Sequence, residues 1–163
     1  LERAAVTMGP ARPVPRVNVA DRFEKMSRPD GGFDFDYLDP TKHGLQATIS
    51  KNGVLSMDVR ANPALSPTLG SGRDMGASLM NRLAAEGIEV KQFDALWMKG
   101  SKDVSSNYTY YNKMQYSMNP LDAARGTWTG KFFSEYGFDI VKPPVIVNAP
   151  NKAFTATFVR RQP

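Results

Sequence analysis

The sequence predicts an α+β fold, in which one domain combines a mixed or antiparallel sheet with helices packed on it. Three observations support this class. Apolar and polar residues alternate through three neighbouring segments between residues 33 and 59, which is typical of a half-buried three-strand meander. Two later segments carry apolar residues at helical spacing, and two short apolar segments near the end flank a turn. Helices stacked on the sheet would bury all of these apolar faces.

Length and composition favour one globular domain behind an arm. The 163 residues are 41% hydrophobic and 23% charged, and a chain of this size buries roughly 70% of its unfolded surface. Residues 1–16 are rich in proline and lack periodicity, so we predict an extended arm there and a single domain over 17–163. No apolar run approaches the ~20 residues of a membrane-spanning helix. Because the chain starts at Leu1 rather than Met, we expect a piece of a longer protein.

The composition also limits the chemistry. The chain has no cysteine and a single histidine, His43, which excludes disulfides, thiolate sites and multi-histidine metal sites, and we expect no metal. Asp34, Asp36 and Asp39 are interpreted as a charged outer strand face. The net charge of +5 favours an anionic partner such as nucleic acid or a nucleotide cofactor. We expect a monomer.

The first half of the domain is predicted to hold a short helix over 17–26 and then the meander. Its last two strands flank Lys51-Asn52-Gly53, a hairpin signal. A two-residue loop would place Ile49 opposite Ser56, whereas a three-residue loop with Gly53 left-handed places Ile49 opposite Leu55. The second register puts every apolar residue on one face, so we predict it.

The second half is predicted to alternate helices with strands. A helix over 74–86 ends at Gly87, a strand covers 88–98, and a short helix covers 107–116. Asn119 and Pro120 begin a helix that continues to Gly137. The terminal hairpin joins 145–147 to 154–159.

The glycine-rich segment before the first of these helices is a candidate phosphate-binding loop. Glycines let backbone amides approach a phosphate, the helix dipole favours its charge, and an arginine adds a bidentate contact. The predicted cofactor-binding residues here are Gly70, Gly72, Arg73 and Gly76. The alternative is a flexible loop with a helix cap, and Asp74 opposes an anion at this end.

Two further segments supply candidate side chains. Asn107, Tyr108 and Tyr111 belong to an amide and aromatic cluster that can stack on a base and hydrogen-bond its edge, or else pack at a helix start. Thr127 and Thr129 flank Trp128 in a segment of poor helix formers, where their hydroxyls can reach a ligand. The alternative there is tight helix packing at Gly130.

The predicted element order resembles that of the GNAT acyltransferase superfamily over residues 17–163. The segment Arg73–Ser78 is similar to the GNAT motif of Gln or Arg, two residues, Gly, any residue, then Gly or Ala, with Ser78 departing from it. The resemblance implies an acyl-coenzyme A cofactor, or another nucleotide-containing one, whose pyrophosphate lies near Gly72, Arg73 and Gly76. It also implies that Tyr108 or Tyr111 acts as general acid.

Residues 70–163 also resemble the C-terminal modules of bacterial polymorphic toxins, including those of RHS-repeat proteins. The shared features are Gly70 to Leu79, Trp97, Ser106-Asn107, Thr127 to Gly130 and Gly137-Phe138. The resemblance implies an effector domain of a large secreted toxin, delivered into the target-cell cytoplasm and bound by a cognate immunity protein. Its target would be a nucleotide, a nucleic acid or a protein. We therefore favour an enzyme, with Asn107, Tyr108, Tyr111 and Thr129 as candidate catalytic residues; the alternative is a non-enzymatic binding module.

Overall fold

A computed structural model describes residues 13–97, 119–148 and 153–161. A 3-10 turn over Ala20–Arg22 precedes strands β1 (Glu24–Ser27), β2 (Phe33–Leu38), β3 (Gly44–Ile49) and β4 (Val54–Arg60). Helices α1 (Ser66–Leu69) and α2 (Gly72–Ala85) lead to β5 (Gln92–Trp97). Helices α3 (Pro120–Arg125) and α4 (Trp128–Ser134) lead to β6 (Phe138–Ile140), β7 (Val145–Asn148) and β8 (Ala153–Arg160).

The eight strands described form one open mixed sheet in the order β1-β2-β3-β4-β5-β8-β6, with β7 also paired to β8. Strands β1 to β4 are an antiparallel meander, β4 and β5 are parallel, and β8 is antiparallel to its neighbours. This arrangement confirms the predicted α+β class, with the meander and the terminal hairpin.

The hairpin between β3 and β4 has the predicted register. Ile49 lies opposite Leu55, and Ala47 lies opposite Met57. Gly53 has a φ of 83° and its amide donates to the Ser50 carbonyl at 3.0 Å. The left-handed glycine therefore makes the three-residue loop that keeps the apolar residues on one face.

The predicted helix over 17–26 is wrong, because this segment is a 3-10 turn followed by β1. Apart from the Arg22 amide, which donates to the Val19 carbonyl in the 3-10 turn, several of its backbone groups bond to side chains of α2. The Val19 amide donates to Ser78 Oγ at 3.0 Å, and the Arg82 guanidinium donates to the carbonyls of Ala20 and Phe23. From Glu24 onward the backbone pairs with β2, so these residues hydrogen-bond across the sheet and not within a helix.

The helix predicted from Asn119 to Gly137 is two helices. Thr127 has extended backbone dihedral angles and its hydroxyl accepts from the Gly130 amide at 3.0 Å, so it caps a new helix. Gly137, with a φ of 85°, then leads into β6, a three-residue strand that the pattern does not predict. The strand predicted over 88–98 begins at Gln92.

The described helices cover one face of the sheet. Helix α2 packs on β3 and β4, while α3 and α4 pack on β6. The Phe93 ring of β5 stacks on the Phe133 ring of α4 with centroids 3.9 Å apart. Because strand residues alternate between faces, Asp36, Asp58 and Leu96 lie on the opposite, open face.

Candidate functional site

The parallel strands β4 and β5 part at their carboxyl ends. Their paired residues are Val54 with Gln92 and Leu55 with Phe93, at the beginning of each strand. Strand β4 continues to Arg60 beside β3, and β5 continues to Trp97 beside β8. We call the gap between residues 56–60 and 94–97 the β4–β5 split. Ligands of open sheets bind in such crevices outside the carboxyl ends of parallel strands.

The glycine turn lies at the β4 side of this split. Gly70 has a φ of 98°, which turns the chain into the cap of α2. A Cβ at Gly72 would lie 3.4 Å from Val59 Cγ1 of β4 and 3.8 Å from Trp128 Cζ2 of α4. The turn is therefore held between the end of β4 and the first residue of α4.

Asp74 places a buried carboxylate at the start of α2. It accepts from the amides of Ser71 at 3.1 Å and Arg16 at 2.8 Å, while its own amide donates to Ser71 Oγ at 3.0 Å. Burial acts to raise the pKa of Asp74, but the hydrogen bonds outweigh it, so the pKa is lowered. The ionised carboxylate weakens the attraction of this helix end for a phosphate. Gly72 and Arg73 are the first two residues of α2, so their amides have no acceptor within the helix.

Arg73 pairs with Glu135 across the surface. Its Nη1 lies 2.6 Å from Glu135 Oε2, and the two side chains are 50% and 39% exposed. The hydrogen bond to Glu135 raises the pKa of Arg73 above its ordinary value. An ion pair this exposed contributes little stability, so the guanidinium can exchange Glu135 for a phosphate at small cost.

Gly76, the fourth predicted cofactor residue, is buried inside α2. A Cβ there would lie 2.8 Å from Phe132 Cζ, so this glycine lets α4 approach α2. Contact between Gly76 and a cofactor stays a prediction, and the structure itself gives the residue a packing role.

Thr127 and Thr129 both make bonds within the protein. The fully buried Thr127 hydroxyl donates to the Ala124 carbonyl at 2.7 Å and accepts from the Gly130 amide. The Thr129 hydroxyl accepts from Trp97 Nε1 at 3.3 Å. Since Trp97 ends β5, Thr129 lies at the β5 side of the split, whereas the role of Thr127 in the structure is to cap α4.

The remaining candidate catalytic residues, Asn107, Tyr108 and Tyr111, lie outside the described residues. Their convergence with the glycine turn stays a prediction. Of the predicted site residues, the structure places Gly72 near Trp128, the neighbour of Thr129 in the sequence, with 3.8 Å between Trp128 Cζ2 and the Cβ position of Gly72.

His43 is a residue whose importance the sequence did not show. Its ring is 1% exposed, Nδ1 accepts from the Asn62 amide at 2.9 Å, and Nε2 lies 2.8 Å from the Gly70 carbonyl. These bonds assign a neutral ring with the proton on Nε2. The histidine thus ties both ends of the 61–71 loop to the start of β3. Only its being the sole histidine distinguished it in the sequence.

A cavity of about 380 Å³ lies near the beginning of β5. The C-terminal half of α2, the 87–90 loop and the junction of α4 with β6 form its wall. Its polar lining groups are Glu89, Glu135, Tyr136 and Arg160. No feature of the residue pattern predicts this cavity.

Other kinds of site have no support in the part of the chain that the structure describes. No three His, Asp or Glu side chains cluster there as metal ligands, and no helix there is long and apolar enough to cross a membrane. Comparison of this chain with protein-family models, curated proteins and solved structures finds no match.

Proposed function

We propose that this domain transfers an acyl group from acyl-coenzyme A to an amine, as the effector of a secreted bacterial toxin. The observation that supports the transferase is the β4–β5 split with the Gly70–Gly72 turn at its edge. The observed order keeps the meander, helix, parallel strand, helices and terminal hairpin of the predicted order behind the GNAT resemblance, but it lacks the predicted helix over 17–26 and adds β6.

The split suits an extended ligand that carries amides. Beyond Leu55 and Phe93, strands β4 and β5 are not paired with each other, so their facing backbone edges can pair with a ligand. The arm of acyl-coenzyme A that bears the thioester contains amide groups, which can pair with such edges as an added strand does. This placement would leave the thioester between the two strands.

The turn suits the pyrophosphate of the same ligand. The amides of Gly72 and Arg73 offer donors, and the exposed Arg73 guanidinium offers a charge-assisted contact. Asp74 opposes an anion, but its oxygens accept from Ser71 and from Arg16 in the preceding segment. We therefore expect binding that depends strongly on Arg73.

The reaction needs one proton acceptor and one donor. The amine nitrogen attacks the thioester carbonyl, a nitrogen–carbon bond forms, the carbon–sulfur bond breaks, and the amine loses a proton while the leaving thiolate gains one. We propose Tyr108 or Tyr111 as the acid that protonates the thiolate, with Asn107 orienting the cofactor. Thr129, at the β5 side of the split, would hydrogen-bond the reacting carbonyl.

Thermal unfolding with acetyl-coenzyme A tests the cofactor. A ligand at a hundred times its Kd stabilises the folded state by about 2.7 kcal/mol, so a clear rise in Tm is expected. Arg73→Ala should weaken this rise, whereas Arg125→Ala, which breaks a different surface pair with Asp139, should leave it intact. No rise at millimolar ligand would refute the transferase and favour the alternative of a binding module.

The toxin setting depends on the sequence resemblance over 70–163, and with it the proposed immunity protein and delivery into a target cell. Expression of the chain in bacteria should arrest growth, and co-expression of the immunity protein should restore it. The Thr129→Val variant, which removes the hydroxyl, should be less toxic at equal protein level. Normal growth with abundant folded protein would refute the toxin role and leave the transferase to its own test.

A further inference from the structure

Trp128 is unusually open for an indole in this domain. It is 38% exposed, whereas Trp97 is 5% exposed. Its ring stacks on the Phe132 ring with centroids 5.1 Å apart and an angle of 4° between the planes. The indole therefore rests on Phe132 while part of its ring surface stays open to a ligand.

The position of this ring relates it to the split. Trp128 Cζ2 lies 3.8 Å from where a Cβ of Gly72 would be, and Val59 of β4 lies on another side of the same glycine. The next residue, Thr129, bonds to Trp97 at the end of β5. Trp128 therefore lies between the carboxyl ends of the two parted strands, on the side of the helices.

We propose that Trp128 is the stacking surface for the adenine base of the cofactor. This inference depends on the proposed acyl-coenzyme A site, because it uses the Gly72 turn to place the phosphates. In that ligand a ribose separates the pyrophosphate from the base, so phosphates at Gly72 hold the base close to the indole. Phe132 supports the ring from below and fixes its orientation before the ligand arrives.

The type of contact follows from the chemistry of the ring. An aromatic side chain stacks on a purine through its π-face, and such stacking is worth about 1–3 kcal/mol per base. A hydrogen-bonding side chain would select the base by its edge, whereas an indole accepts any purine face. Trp128 is thus proposed as a positioning residue for affinity and not as a residue of the chemical step.

Isothermal titration with acetyl-coenzyme A and with adenosine 3′,5′-bisphosphate tests this inference. Trp128→Ala should weaken both ligands on the order of ten- to a hundredfold. Trp128→Phe, which keeps an aromatic ring, should retain most of the affinity. The control Ile146→Ala changes another exposed apolar residue, on β7, and should bind as the unchanged protein does.

Tryptophan fluorescence supplies the second measurement. Adenosine 3′,5′-bisphosphate should quench the unchanged protein but not Trp128→Phe, in which only the buried Trp97 remains. Equal affinity of Trp128→Ala and the unchanged protein for both ligands would overturn the stacking role while leaving the transferase intact. Absence of any binding by the folded, unchanged protein would instead refute the acyl-coenzyme A site, and the stacking role with it.

Discussion

Gly76 of α2 lies directly against the ring of Phe132 of α4. A Cβ at Gly76 would be 2.8 Å from Cζ and 3.1 Å from Cε1 of that ring, closer than carbon atoms approach. The ring cannot easily move, because Trp128, Phe133 and Tyr136 surround it at centroid distances of 5.0 to 5.2 Å. This contact sets how closely the two helices pack over the sheet.

Gly76→Ala should therefore destabilise the domain, although alanine is the better helix former by about 1 kcal/mol. Overpacking of a core typically costs about 1–3 kcal/mol, and the buried ring leaves little room for relief. With a clash in the upper half of that range, about 2–3 kcal/mol, less the helix-propensity gain, we expect a net loss of about 1–2 kcal/mol in the free energy of unfolding, measured with urea.

A double-mutant cycle with Phe132→Leu provides the control. The smaller side chain removes the clash, so Gly76→Ala should cost less, or even stabilise, in the Phe132→Leu background. Additive effects would show that the two residues do not interact in this way.

His43 is expected to hold the 61–71 loop in place. His43→Ala removes two buried hydrogen bonds and leaves a cavity, which should lower the free energy of unfolding by about 2–4 kcal/mol. Hydrogen exchange provides a local measurement, because the Asn62 amide donates to Nδ1. That amide should lose its protection even where strands β2 and β3 keep theirs.

His43→Asn separates the hydrogen bond from the ring. The asparagine Oδ1 lies near the position of Nδ1 and can accept from the Asn62 amide, so exchange at Asn62 should be partly slowed again. Equal exchange at Asn62 in all three proteins would contradict the proposed tether.

The pattern of residues predicted local features well where one physical rule dominates. Alternation and one left-handed glycine sufficed for the register at Gly53, because a slip by one residue would have reversed the faces of the strand. Gly87 and Gly137 ended their segments as predicted, with φ values of 71° and 85°.

Predictions of secondary structure failed where contacts with residues distant in the sequence determine the local conformation. Ser78 and Arg82 hydrogen-bond the backbone of residues 17–26, but they lie more than fifty positions away in the sequence. The local spacing of apolar residues therefore predicted a helix. Residues around Thr127 have poor helix propensity, which marked this segment as unusual. The same propensity is expected for a helix cap and for a ligand-binding segment, so it did not predict the break between α3 and α4. The contact of Gly76 with Phe132 was not predictable either, since a glycine needed for helix packing and one needed near an anion look alike in sequence; its contact with a cofactor stays a prediction.

Asp74 should make stability depend on pH. Because its pKa is lowered in the folded protein, the stabilisation is present above the unfolded-state value of about 3.9 and is lost as the pH falls through the folded-state value. Asp74→Asn keeps the shape but not the charge, and should cost about 1–2 kcal/mol at pH 7.

Urea unfolding of the unchanged protein and of Asp74→Asn, from pH 7 to pH 3, measures this pH dependence of stability. The difference in free energy should stay constant down to about pH 5 and then shrink below pH 4. Asp58→Asn, on the open face, should cost little at pH 7. A difference that grows as the pH falls would contradict the assigned ionised state.

Gly130 is expected to tolerate no side chain at the crossing of α3 and α4. A Cβ there would lie 2.4 Å from the Ala124 carbonyl oxygen and 2.7 Å from that of Arg125. Both are backbone atoms of α3, so no change of rotamer relieves the contact, and α4 would have to move away. Gly130→Ala should cost at least about 3 kcal/mol, the upper end of overpacking, and should expose Trp97, whose indole donates to Thr129.

Gly137→Ala is the matched control, since nothing lies within 4 Å of its Cβ and only the left-handed φ is unfavourable, at about 1–2 kcal/mol. If Gly130→Ala unfolded no more easily than Gly137→Ala, with Trp97 fluorescence unchanged, the close crossing of α3 and α4 would be wrong.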